Sequence, residues 1–254
     1  SQNIFVTEYF NDDVFSRSHA LGLHWKFRHA LSSYDAHFVW RKRDIDIYQK
    51  AGARYVEHSP PYYDPEKNFV SKDFSPPKRY LADLAFIGHW ENDWRVDCLQ
   101  ALKLSGNEVL IRGGGNLWDP ALKDTSLTES IPVVEAYGFE YRNIYANVVA
   151  GLCFFSKLNN DTWTRRALEI VAVGGVLVCE RTEEAKTYFT DKKEAFFFSD
   201  IEELVDIVDR LKSNTEMRER VRRAGYKKLM DGKNTIFDRA FKVYQYVKDQ
   251  KTKN

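Results

Sequence analysis

Apolar residues recur along this chain in short runs, separated by stretches whose apolar positions follow a helical period. Residues 3–7 (NIFVT), 36–40 (AHFVW) and 54–57 read as strands, and residues 16–31 and 43–50 as helices, the second stopped by Gly52. Strands alternating with helices predict a parallel sheet with crossover helices. A second alternation begins at Leu84. Strands are expected at 84–87, 108–111, 131–134, 150–154, 176–179 and 194–198, with helices at 92–104, 141–147, 162–173 and 183–189. The chain ends in helical patterns over 201–212, 215–229 and 235–248. The expected class is α/β, with one complete doubly wound parallel sheet, a truncated second one and a helical C-terminus.

Between the two alternations the pattern disappears. Residues 59–78 hold Pro60, Pro61, Pro65, Pro76 and Pro77 among tyrosines and charges. Proline restricts its own φ and the residue before it, so this stretch reads as an extended linker. The boundary is expected near residues 73–80, giving a partial N-terminal domain over 1–75 and a complete one over 76–254.

Composition narrows the function. Among 254 residues, 38 basic side chains balance 37 acidic ones for a net charge of +1, which argues against a general nucleic-acid binder. A hydrophobic content of 43%, with 15% aromatic residues, is enough for a core. Cys98, Cys153 and Cys179 fall in apolar patterns without a CxxC pair, so buried thiols in a reducing compartment fit better than disulfides or zinc. No apolar run approaches the length of a membrane span, and no signal sequence is evident. A cytoplasmic location follows as the expectation, with peripheral attachment at the inner membrane face left open. The opening Ser-Gln-Asn suggests a trimmed N-terminus.

The candidate chemistry centres on residues 159–180, NNDTWTRRALEIVAVGGVLVCE. A polar loop leads into a helix, a Gly174–Gly175 stop and a buried strand. The first turns of a helix offer unpaired N–H groups that favour an anion, and Arg166 and Glu169, three apart, share a face there. The alternative is an ordinary surface pair. Gly88, at a strand-to-helix turn, could let the backbone approach a ligand, with Arg95 one turn on; both could equally be structural. Arg112 opens an Arg-Gly-Gly-Gly loop that is neither a Walker loop nor GxGxxG and reads as a plain loop, although its place at a strand's carboxyl end keeps Arg112 a candidate. Residues 137–145, with Tyr137 and Tyr145, could stack a base or simply fill a core. The 6 histidines all precede residue 90, and His19, His24 and His29 are spaced off any one helical face, so no metal site is expected. Asp12 and Asp13 suit turn chemistry. No hydrolase constellation is present.

The run 164–178, TRRALEIVAVGGVLV, resembles the donor-binding motif of GT-B glycosyltransferases, and most closely the CgeB/YkvP-like glycosyltransferase group 1 family. The similarity extends over most of 80–245 and loosely over 1–70. It implies a Rossmann-like domain that holds a nucleoside-diphosphate sugar as donor substrate, without a metal or other cofactor. Glu169 would bind the ribose hydroxyls. Asn160, Thr162 and Thr164 would face the diphosphate, whose charge Arg166 would offset, and residues 137–145 would line the base. Gly88 and Arg112 would belong to the same donor side. The acceptor would be a glycan, a lipid-linked molecule or a protein. Asp161 and Thr162 stand where retaining members commonly carry an earlier Glu, so retention or inversion stays open, as does the catalytic residue. Residues 1–70 resemble only the last strands of the N-terminal domain, so a missing N-terminal domain or a partner chain is implied. A non-catalytic nucleotide- or glycan-binding module is the alternative, and a GT-B nucleotide-sugar epimerase is a further one.

Overall fold

The computed structural model describes residues 4–16, 24–70 and 74–251. Asn3 of the first expected strand, residues 17–23 of the first expected helix (His19 with them) and Asp73 at the expected boundary lie outside the described residues.

The first sheet has three parallel strands in the order β1-β2-β3: β1 Thr7–Phe10, β2 Ala36–Val39 and β3 Val56–His58. β2 is buried along its whole length, and it sets the register: Thr7 pairs with Ala36 and Phe10 with Val39. This is why β1 begins at Thr7 and not at the more apolar run before it, where Ile4 is exposed. The helix expected over 16–31 is, in its described part, the short α1 Trp25–Ala30, followed by a 3-10 turn. α2 Lys42–Lys50 ends before Gly52, whose φ of 101° suits a residue without Cβ.

The second sheet carries the order β5-β4-β6-β7-β8, all parallel. In chain order it runs β4 Leu84–Ile87, α3 Arg95–Leu104, β5 Val109–Arg112, α4 Gly115–Leu122, α5 Gly138–Ala146, β6 Ala150–Cys153, α6 Arg165–Ala172 and β7 Leu177–Glu180. Then come α7 Glu183–Tyr188, β8 Phe196–Phe198, α8 Ile201–Ser213, α9 Thr215–Met230 and α10 Ile236–Lys251. Strands β4, β6, β7 and β8 are buried along their lengths, as expected of a parallel sheet with helices on both faces. Alternate residues feed two cores. Ala85, Ile87, Cys153 and Leu177 pack with α5 and α6, and Leu84, Phe86, Leu152 and Val178 with α3, α4 and α8.

Two elements depart from the expected pattern. Residues 131–134 form no strand. Pro132 has no N–H for a ladder, Val133 N–H goes to the Asp119 carboxylate, and Val134 gives only its carbonyl, to Gly113 N–H. The stretch from the Arg-Gly-Gly-Gly loop onwards, where no helix is expected, contains α4, held by burial of Trp118 and Leu122 despite Pro120 inside it.

The chain divides into two compact units, one of Ser1–Tyr62, Ser156–Thr162 and Asn234–Asn254, the other of Tyr63–Phe155 and Trp163–Lys233. The sequence-derived boundary stands at 75/76. In the structure the first change of unit falls at Tyr62/Tyr63, and the 156–162 loop and α10 group with the three-stranded sheet. In that unit Tyr246 of α10 stacks on Tyr55 at 4.2 Å and meets Phe38 edge-on.

Candidate functional site

The larger unit gathers its unused polar groups beyond the carboxyl ends of β4 and β5, where open α/β sheets bind ligands. β4 ends at Ile87 and turns at Gly88, whose N–H donates to Arg112 O at 2.9 Å and whose carbonyl accepts from Trp118 Nε1 at 2.8 Å. A Cβ on Gly88 would lie 2.8 Å from the Phe86 ring and 3.0 Å from the Arg166 guanidinium. A Cβ on Gly113, after β5, would meet Gly88 O at 2.2 Å. Two glycine turns therefore bring the backbones together under Arg166.

A cleft of about 160 Å³ opens there, lined by Gly88, His89, Gly113, Gly114, Glu135, Tyr137, Tyr141 and Arg166 among others. A second cleft of about 280 Å³ is lined by Lys67, Asn68, Tyr137, Gly138, Tyr141, Arg165 and Glu169. Tyr137 and Tyr141 line both.

Arg166 is the distinctive group. Its guanidinium lies over Phe86 at 5.6 Å, its buried Nε has no hydrogen-bond partner, and it forms no salt bridge among the described residues. Burial alone would lower its pKa, but Tyr145, Tyr141, Cys153 and Glu169 around it raise it further, so the charge stays. A cation with open donors, above two glycine turns, is suited to an anion.

Glu169, 8% exposed, accepts the Tyr141 hydroxyl on Oε2 at 2.8 Å and Arg165 Nε on Oε1 at 2.6 Å. Burial first, and then the Glu169 charge, raise the Tyr141 pKa well above the ordinary phenol value, so its hydroxyl remains a donor. Arg165 stands four residues before Glu169, the spacing that brings side chains together on a helix. Thr164 caps α6 with extended backbone, but its side chain makes no capping hydrogen bond. Gly174, with φ of 82°, ends the helix turn so that β7 can begin.

A family model described as Glycosyl transferase-like matches residues 95–242, more than half of the chain. The chain belongs to this glycosyl transferase-like family. No curated protein sequence matches it. Among solved structures, sucrose-phosphate synthase from Thermosynechococcus elongatus superposes with a TM-score of 0.71 at 9% identity, covering 98% of this chain and 68% of that one. Anabaena HepE in complex with UDP-glucose gives 0.71 at 10% identity, with 96% and 72% covered. TarM gives 0.66 at 11% identity, with 96% of this chain and 50% of that one covered. The likeness is one of fold, the GT-B fold of glycosyltransferases.

Against that family fold, the expected site residues fall into three groups. Gly88, Tyr137, Arg166 and Glu169 line the two adjoining clefts, and Thr164 caps the helix that carries Arg166 and Glu169. Arg112 and Tyr145 line neither cleft: Arg112 Nη1 turns back to Ile111 O at 3.0 Å, and the buried Tyr145 hydroxyl accepts Ile87 N–H at 3.1 Å. Asn160 and Thr162 group with the three-stranded unit. Asn160, at φ 51°, donates to Asp13 Oδ2 at 2.9 Å, while Thr162 is exposed. Asp161 is bound by Arg41. Arg95, weighed as a phosphate ligand, is spent on Asp93, Glu91 and the His89 carbonyl. Tyr141 and Arg165 were not singled out from sequence. The spacing of Arg165 from Glu169 was the signal that could have found it. Asp13 does serve its turn, accepting Phe15 N–H at 3.0 Å, and it also pairs with Arg43. Among the described residues no cluster of His, Cys, Asp and Glu could hold a metal, and no helix is long and apolar enough to cross a membrane.

Proposed function

We propose that this chain binds a nucleoside-diphosphate sugar in the two adjoining clefts and transfers the sugar to a glycan, lipid-linked or protein acceptor, as a CgeB/YkvP-like glycosyltransferase. The observation that carries this is Arg166, a charged group facing a cleft with its hydrogen-bonding capacity unspent. The diphosphate would lie against Arg166 and the Gly88 and Gly113 turns, the ribose diol against Glu169, and the base towards Tyr137. HepE, which shares the fold, was solved with UDP-glucose, which supports a donor of this class.

In such a transfer the departing nucleoside diphosphate gains negative charge as the bond to the sugar breaks. A preorganised guanidinium at that point stabilises the transition state more than the ground state. Arg166 would take this role, and no metal is invoked. Calorimetry with UDP, GDP and their sugars tests the donor site, with Glu169→Ala as the control. Binding that weakens at least tenfold in the variant is expected. A wild-type chain that binds none of these ligands more tightly than millimolar, about −4 kcal/mol, would refute the assignment.

A further inference from the structure

We propose that Tyr141 is a positioning residue that makes the site select for a ribose, by fixing the plane of the Glu169 carboxylate; this rests on the donor site proposed above. A carboxylate presents about four lone-pair positions, and a vicinal diol would take two of them. Glu169 already spends one on each side, Oε2 on the Tyr141 hydroxyl at 2.8 Å and Oε1 on Arg165 Nε at 2.6 Å. Two donors on different oxygens hold the group against rotation and leave its remaining lone pairs for the cleft that Glu169 lines.

Tyr141 is itself held firmly. Its ring stands edge-on to Tyr145 at 5.0 Å and 81°, and the Tyr145 hydroxyl accepts Ile87 N–H at the end of β4. The carboxylate is thus tied through two rings to the strand that ends at Gly88. Arg165, by contrast, is partly exposed and flexible in kind, so the hydroxyl is the more rigid of the two anchors. With the hydroxyl removed, Oε2 loses its buried donor and the carboxylate turns towards Arg165, away from the geometry a diol needs.

The test is calorimetry of the whole chain with UDP, GDP and the 2′,3′-dideoxy form of each, comparing wild type, Tyr141→Phe and Tyr145→Phe. In Tyr141→Phe, affinity for the parent nucleotide should fall roughly five- to tenfold, the size of one charge-assisted hydrogen bond partly retained by Arg165, while the dideoxy form is unchanged. Tyr145→Phe should treat both forms alike. Equal loss for both forms in Tyr141→Phe, no loss for either, or the same ribose-selective loss in Tyr145→Phe overturns the role of the hydroxyl. A wild type that binds UDP or GDP no better than the dideoxy form overturns it together with the ribose contact at Glu169, while leaving the diphosphate contact at Arg166 standing. A wild type that binds no nucleotide removes both. Should Tyr141→Phe not fold, Arg165→Met provides the second arm: with the Tyr141 hydroxyl still fixing Oε2, the preference for the ribose over the dideoxy form is expected to stay within about twofold of wild type, and its loss overturns the proposal.

Discussion

Arg95 and Arg166 both place a guanidinium beside the ring of Phe86, at 5.9 Å and 5.6 Å, yet they are opposites. Arg95 is 3% exposed and saturated: Nε and Nη2 go to the Asp93 carboxylate, Nη1 goes to His89 O, and Glu91 lies at 3.4 Å. Arg166 keeps a buried Nε without a partner. The same residue type on the same aromatic ring is saturated by carboxylates in one case and keeps its donors open beside a cleft in the other. The difference lies in the acidic residues that precede Arg95 in its own turn, and in their absence from the turn before Arg166.

Breaking the saturated side should cost most. Arg95→Leu leaves Asp93 and Glu91 as buried carboxylates without their cation, a loss of about 3–5 kcal/mol. Urea denaturation should show it as a lower midpoint. Arg166→Met should do the reverse. It removes an unsatisfied buried donor, so the midpoint should hold or rise, while affinity for the nucleoside diphosphate falls by about 1.5–3 kcal/mol, tenfold or more. Comparable destabilisation by both variants would mean that Arg166 is as structural as Arg95, and the contrast would collapse.

That contrast also marks what the chain's pattern could reveal. Periodicity located β4, β6 and β7, the helix that carries Arg166 and Glu169 and its stop at Gly174, because buried strands and amphipathic helices write themselves into local order; the partner of Glu169 is Arg165 and not Arg166. It missed α4, where Gly115 and Pro120 argue for a loop and burial of Trp118 against the Gly88 carbonyl outweighs them. It placed a strand at 131–134, where Pro132 leaves no ladder donor. It could not separate Arg95 from Arg166, since saturation depends on where carboxylates arrive in space. For the same reason Asn160 was read with the diphosphate, although its side chain reaches Asp13 across 147 positions of sequence.

The three-stranded unit has its own buried charges, and there the next effect is smaller and pH-dependent. Asp44 sits between Arg41 and Arg43 near Asp13, and burial pushes its pKa up to about 6, against the lowering pull of Arg41. Its folded pKa exceeds its unfolded value near 4, so folding favours the protonated form. Its contribution is therefore complete below about pH 4 and is lost as pH rises through about 6. Solvent screening of a group that is not fully enclosed reduces this to on the order of 1–2 kcal/mol. Asp44→Asn should flatten the fall in stability between pH 4 and 7, read from urea midpoints at each pH. An unchanged slope would place the titration elsewhere.

The smallest effect repeats the contrast at the level of a single hydroxyl. Thr164 and Thr182 are both N-caps with extended backbone, at φ −147° and −134°. Thr182 Oγ1 accepts Ala185 N–H at 3.0 Å and so satisfies one of the donors that every helix start leaves open; Thr164 accepts none. Thr182→Ala should therefore cost about 1 kcal/mol, while Thr164→Ala should leave stability within a few tenths. The hydroxyl at Thr164 makes no capping bond at the start of the helix that carries Arg166 and Glu169. Nucleotide affinity should respond in the opposite order, falling two- to threefold in Thr164→Ala and not at all in Thr182→Ala. A Thr164→Ala chain that loses stability but not affinity would return this cap to an ordinary structural one and leave the proposed anion contact to Arg166.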